Sequence, residues 1–298
     1  MSLSLNQRTT KRWSVAEAVE GCVRHGLSAV GLWREEVAEQ GLAESVKLVR
    51  DAGLRVSSLC RGGFLTTPGD AASGTAPGGS GGRARQAALD DNRRAIDEAA
   101  ELEAACLVMV VGGLPGVRPG EPLPDAETLF SRDLAGARGQ VAEALEVLAP
   151  YAGERGVKLA LEPLHPMYCA DRAVLSTLAQ AVDLSLPYPE EQVGVVVDTF
   201  HVWWDPRLFE EITRAGRRIA SYQVCDFLQP LPADVLLGRG MMGDGVIDFP
   251  PITRAVAEAG YTGDIEVEIF NADVWAADPD EVVATMKRRY AQVVTATP

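Results

Sequence analysis

Short apolar runs alternate with amphipathic stretches along the whole chain. Apolar runs that read as buried strands fall near Leu3–Asn6, Ala29–Trp33, Leu54–Cys60, Cys106–Val111, Val157–Glu162, Val193–Asp198, Ile219–Asp226 and Asp264–Ile269. Between and after them, apolar residues recur at helical spacing over Ser14–His25, Gly41–Ala52, Arg85–Glu103, Leu129–Arg155, Ala173–Leu184, Pro206–Ala215, Pro250–Ala259 and Pro279–Ala291. Gly26, Gly53, Gly156, Gly216 and Gly260 stand just past helical stretches, where a left-handed cap is expected. Eight strands, each followed by a helix, favour a single α/β domain over residues 1–298, a closed (β/α)8 TIM barrel. No G-x-G-x-x-G follows the first strand, so an open dinucleotide-binding sheet loses its main support.

Two stretches interrupt the alternation. Residues 66–82 (TTPGDAASGTAPGGSGG) hold too little apolar surface to offset the entropy of ordering, so a flexible loop is expected there. It suits either a lid or a tolerated surface insertion. Residues 112–124 (GGLPGVRPGEPLP) form a second long connection, again after a strand.

Composition narrows the function. With 47% hydrophobic and 23% charged residues the chain reads as a globular protein, and no apolar run approaches the ~20 residues needed to span a bilayer. The opening MSLSLNQRTTKRW lacks the order of a signal peptide, and five scattered cysteines form no C-x-x-C pair. A reduced, cytoplasmic protein without a structural zinc site is therefore expected. A net charge of −14 opposes nucleic acid and anionic membrane as partners. With three histidines, a metal site must draw mostly on oxygen.

Chemistry in a barrel belongs where strands end and loops begin. The polar residues at those ends are Glu162 (LALEPLHP), Asp198 (VGVVVDTFH), Gln223 and Asp226 (SYQVCDF), and Glu268, which shares a strand face with Glu266 (GDIEVEIF). An aspartate at the tip of an apolar strand also caps a following helix well, so Asp198 alone decides nothing. Four adjacent strands converging oxygen donors on one rim carry more weight. Two carboxylates ~4.5 Å apart repel by roughly 3–4 kcal/mol at an effective dielectric of 20, so three need a cation or shared protons. Ligation by Glu162, Asp198, Gln223 and Glu268 suits one hard divalent ion, Mn²⁺ or Mg²⁺. Acids paired with Arg or capping helices are the alternative.

These motifs resemble the xylose-isomerase-like TIM-barrel superfamily of sugar isomerases and epimerases, with inosose dehydratase and D-tagatose 3-epimerase among its members. The resemblance spans nearly the whole chain and is most specific from Val157 to Ile269. It implies a metal held by Glu162, Asp198, Gln223 and Glu268, with His201 of the D-x-x-H motif against substrate. The G-x-G at Gly243-Asp244-Gly245 and the G-Y-x-G at Gly260–Gly263 also match. The departure is Gln223, in Q-V-C-D, where the family carries His in H-V-K-D; 3-dehydroshikimate dehydratases are similar in that respect. Repair of DNA in the manner of endonuclease IV would need a His-rich multi-metal site and a basic surface, which this chain lacks.

The resemblance implies an isomerase or epimerase of carbohydrate metabolism acting on a keto-sugar or cyclitol through an enediolate. Glu162 and Glu268 would move the proton and His201 would hydrogen-bond substrate. A dehydratase of a keto-cyclitol or 3-dehydroshikimate-like acid would use the same enolate, and a non-catalytic barrel subunit is the third reading. Further candidates for binding substrate are His165, Arg61, Arg239, Asp226 and Trp33; for Arg61 and Arg239 an ordinary exposed-loop position is the alternative. Barrels of this type often form homo-oligomers, to which Trp203, Trp204 and Trp275 could contribute.

Overall fold

The computed structural model describes residues 1–67, 80–123 and 131–295. Among these, eight parallel strands close into a barrel: β1 (Leu3–Asn6), β2 (Ala29–Trp33), β3 (Arg55–Gly63), β4 (Leu107–Val110), β5 (Leu159–Leu161), β6 (Val193–Asp198), β7 (Ile219–Val224) and β10 (Ile265–Val267). Each strand pairs with its neighbours in sequence, and β10 closes the ring against β1. The expected barrel is the observed one. The glycines expected to end helices, Gly26, Gly53, Gly156, Gly216 and Gly260, all take positive φ.

Strand alternation sorts the apolar residues into two layers. Leu107 and Met109, Leu159 and Leu161, Val195 and Val197, and Ile265 and Val267 belong to the shell between strands and helices. The intervening Val108, Ala160 and Val196, with Trp33, Cys60 and Cys106, form a smaller cluster inside the barrel. Glu162 follows Ala160 by two positions and Asp198 follows Val196 by two, so both continue the inward face. Gln223, between shell residues Tyr222 and Val224, and Glu266 and Glu268, between Ile265, Val267 and Ile269, face inward by the same argument. Register then sets them side by side: Ser4 is level with Glu266, Glu266 with Gln223, and Gln223 with Asp198.

Glu266 lies deep among these acids, 1% exposed. Ser57 and Ser58 donate to it at 2.6–3.0 Å, Asn6 Nδ2 at 2.6 Å and Gln223 Nε2 at 3.3 Å. Its place requires a missing side chain opposite: a Cβ on Gly31 would lie 2.6 Å from the carboxylate.

Several boundaries differ from the sequence expectation. The strand expected over Ile219–Asp226 ends at Val224, and Asp226–Phe227 (β8) turns away to pair antiparallel with Arg239–Gly240 (β9). Helices at Arg34–Gln40 and Ala272–Ala276 were unanticipated. Each is about two turns or less, too short for apolar spacing to mark. Of the expected loop 66–82, residues 68–79 lie outside the described residues, and 80–82 belong to the helix Ser80–Glu101. Residues 124–130 also lie outside them. The following helix begins at Leu134, where Asp133 accepts from Gly136 N–H.

Candidate active site

A cavity of about 210 Å³ opens among residues that follow the C-terminal ends of the strands. Its floor includes Glu162, His201, Arg239 and Glu268, and its walls include Trp33, Cys60, Arg61, Tyr168, Arg172 and Phe270. The end of each strand delivers one part. β5 places Glu162, 5% exposed, whose carboxylate accepts no hydrogen bond from a described residue. β6 delivers Asp198, fully buried. Its Oδ1 caps the short helix Thr199–Val202 by accepting from Phe200 N–H at 2.8 Å, and its Oδ2 faces the site. That helix turns His201 back toward the aspartate, Nε2 standing 3.8 Å from Oδ2. Carboxylate and imidazole atoms of Glu162, Asp198 and His201 all lie within 4.8 Å of one another.

Arg239 corrects the expectation of an exposed-loop cation. It arrives on β9, is 3% exposed, and lies above the rings of Phe200 and Phe270. Its Nη1 is 2.8 Å from Asp198 Oδ2 and 3.0 Å from Glu268 Oε2, bridging the two acids. Nη2 is 2.9 Å from His201 Nε2. Burial opposes its charge, but Asp198, Cys225, Glu268 and Glu162 outweigh that and hold its pKa well above the usual arginine value. The β8–β9 ribbon that carries it pairs residues more than ten positions apart, and apolar spacing gave no sign of it.

One guanidinium does not balance the acids around it. Burial, then repulsion from Asp198 and Glu268, raises the Glu162 carboxyl well above the ordinary range. Glu268 is pushed up to about 7, by burial first, with Arg239 opposing and Asp198 and Glu266 adding. His201 is held neutral: burial and then Arg239 lower its pKa well below 6.5. Gln223 Nε2 donates to Glu266, while its buried Oε1 has no partner among the described residues. Oxygen donors therefore exceed the positive charge and hydrogen bonds supplied to them, which is the donor chemistry a hard cation requires.

Other expected residues lie elsewhere. Asp226 is not in the cavity lining and does not reach Gln223. Its two carboxylate oxygens accept from the backbone N–H groups of Phe227, Gly243 and Ile247, tying down the glycine-rich turn. A Cβ at Gly245 would lie 2.6 Å from Asp226 Oδ1, so the G-x-G spacing serves this packing. His165 sits behind the site, packed on Trp204 and Phe227, and its backbone N–H donates to His201 Nδ1 at 3.1 Å. Trp33 lines the cavity, its Nε1 donating to Asn6 Oδ1. Arg61 lines it too. Trp203 packs on Phe227, while Trp204 and Trp275 donate to backbone oxygens of their own chain. Tyr168, Arg172, Arg8 and Phe270 are lining residues that sequence reasoning missed. Arg8 and Phe270 follow β1 and β10 by two and three residues, so a search of strand-end loops for cations and rings would have found them.

The closed barrel, with acids converging on its C-terminal rim, defines an α/β-barrel with an enzyme-like site. The chain belongs to the xylose isomerase-like TIM barrel family, whose profile matches residues 19–290. The crystal structure of protein SMc04130 from Sinorhizobium meliloti 1021 superposes with a TM-score of 0.88 at 45% identity, covering 99% of both chains. Inosose isomerase of Bacillus licheniformis is 24% identical over 208 residues, 68% of this chain and 70% of that protein. The 3-dehydroshikimate dehydratase of Pseudomonas aeruginosa is 31% identical over 153 residues, which is 49% of this chain but 23% of that protein.

Proposed function

We propose that this chain is an enzyme that enolises a small keto-polyol, with one divalent cation held by Glu162, Asp198, Gln223 Oε1 and Glu268. The oxygen-only donor set favours Mn²⁺ or Mg²⁺. When bound, the ion supplies Lewis-acid stabilisation of the oxygen charge that develops as the proton leaves carbon. The observation that carries the reading is a pair of buried carboxyls with raised pKa values, on strand ends three steps apart around the barrel, over one cavity.

A carboxyl that titrates near neutrality is suited both to take and to return a proton, a contribution of about 10²–10⁴ in rate. Glu162, with no hydrogen bond to its carboxylate from a described residue, is the better base for a proton on the β5 side of the substrate. Glu268 faces the same cavity from β10 and returns a proton from the other side, giving isomerisation or epimerisation. His201 is neutral, with the His165 N–H at its Nδ1 and Arg239 Nη2 2.9 Å from its Nε2. Its ring lines the cavity and is the candidate to hydrogen-bond a substrate oxygen once Arg239 shifts from it. Arg239 keeps Asp198 and Glu268 in place and limits their repulsion.

Loss of water from the same enolate makes a dehydratase the second reading, favoured by the likeness to the Pseudomonas enzyme. The deciding experiment incubates the Mn²⁺-supplemented protein with keto-sugars, inososes and 3-dehydroshikimate in heavy water. Deuterium at the carbon beside the carbonyl, abolished in Glu162→Gln and Glu268→Gln proteins of unchanged circular dichroism, is the expected result. Wild-type exchange in both variants would remove the assigned roles.

A further inference from the structure

The cavity is acidic at its floor and cationic at its mouth, and the two ends differ in how far their charges are answered. At the floor Arg239 bridges Asp198 and Glu268. At the mouth stand Arg8, Arg61 and Arg172. Arg8 is held by Glu36 at 2.8 Å and by Glu35 at 3.6 Å, and lies 4.2 Å above the Trp33 ring. Among the described residues the one acid paired with Arg61 is Glu35, at 3.8 Å, which it shares with Arg8, and its guanidinium lies 4.5 Å over the Phe64 ring. Among them the one acid paired with Arg172 is its chain neighbour Asp171, 3.7 Å from its Nε. Neither the Arg61 nor the Arg172 guanidinium makes a hydrogen bond to a described residue, and Arg172 Nε is buried without a partner. The Tyr168 hydroxyl, on the same wall, is buried and has no hydrogen-bond partner among the described residues, its ring 5.7 Å from the Arg172 guanidinium.

These are not freely solvated surface arginines: their side chains are 32% and 24% exposed. Burial lowers the Arg61 pKa, and the neighbouring charges of Arg172 and Arg8 lower it further. Two half-buried guanidinium groups facing one small cavity, short of acceptors, match the forked geometry of a carboxylate. A neutral cyclitol offers them hydroxyl acceptors but no counter-charge. The net charge of −14 does not oppose this, because exposed charges more than about 8 Å away are screened at physiological ionic strength.

We propose that the substrate is a cyclic keto-polyol bearing a carboxylate, and that Arg61 and Arg172, with the Tyr168 hydroxyl, bind that carboxylate at the cavity mouth. This rests on the enolising reading of the floor, and it assigns the specificity of the same site. The keto end lies toward Glu162 and Glu268, and the carboxylate toward Arg61 and Arg172.

The test is calorimetric binding of 3-dehydroshikimate and of its methyl ester to the Mn²⁺-supplemented protein. The acid should bind at least about thirtyfold more tightly than the ester. Arg61→Met and Arg172→Met should each weaken acid binding by about ten- to a hundredfold, the range for a hydrogen bond to a charged group, and so narrow the acid-to-ester ratio. Circular dichroism verifies that both variants fold. Equal binding of acid and ester, binding of neither, or an unchanged ratio in the Arg61→Met/Arg172→Met double variant would overturn the proposal. Heavy-water exchange separates it from the reading beneath it. A preference for the acid without exchange removes enolisation and leaves the anion site. Exchange on an inosose without a preference for the acid removes the anion site alone.

Discussion

Replacing Arg239 with Met tests the electrostatics of the site most severely. The guanidinium is 3% exposed and lies 2.8 Å from Asp198 and 3.0 Å from Glu268. Methionine fills much of its volume, so the main loss is charge. Removing one partner of a buried ion pair costs about 3–5 kcal/mol, because the other charge stays buried. The carboxyls answer by taking up protons, and Glu268 is already poised at about 7. The cost at pH 7 is therefore expected at the low end, about 3 kcal/mol. Its pH dependence follows from the same protons. At pH 5 Glu268 is largely protonated and the penalty shrinks; at pH 8 its ionised form lacks a counter-charge and the penalty grows. The assay is urea unfolding followed by circular dichroism with chelator present. With a slope of about 3 kcal/mol per molar, the variant should unfold about 1 M earlier at pH 7. The gap should be smaller at pH 5 and larger at pH 8. Millimolar Mn²⁺ should restore more stability to the variant than to the wild type. A loss below about 1 kcal/mol at pH 7, or one that does not change with pH, would refute the argument.

Two more outcomes follow from the same charges and packing. Glu162 and Glu268 have folded-state pKa values above their unfolded ones, so the stability they contribute is present below about pH 4.5 and is lost as pH rises, for Glu268 through about 7. The rise in melting temperature given by Mn²⁺ should accordingly grow from pH 5.5 to pH 8, and an increment that falls over that range would contradict the assignment. Gly31→Ala sets a Cβ 2.6 Å from the Glu266 carboxylate, so calorimetric melting should show a loss of about 1–3 kcal/mol from overpacking; an unchanged melting temperature would show that Glu266 moves freely.

The barrel was legible because each strand is a short buried run with its own turn chemistry. Val193–Asp198 was placed to the residue, since a valine run ending in a carboxylate has sharp edges. Strand alternation also told which acids point inward. What it did not tell was which charges meet. Arg239 reads as a loop cation because its burial depends on the β8–β9 ribbon, a pairing of residues more than ten positions apart. Asp226 looks like a site acid from its place after β7, yet the glycine-rich turn folds back and claims both its oxygens. Arg172 and Tyr168 reach the cavity from the connection after β5, whose path no local pattern sets.

The central claim is that Glu162, Asp198, Gln223 and Glu268 share one divalent ion, and anomalous diffraction from a crystal soaked in Mn²⁺ tests it most directly. The account predicts one strong peak inside the barrel mouth, within about 2.0–2.6 Å of an oxygen from each of the four, the span of hard-cation bonds. No peak there, or a peak that those side chains do not reach, would contradict it.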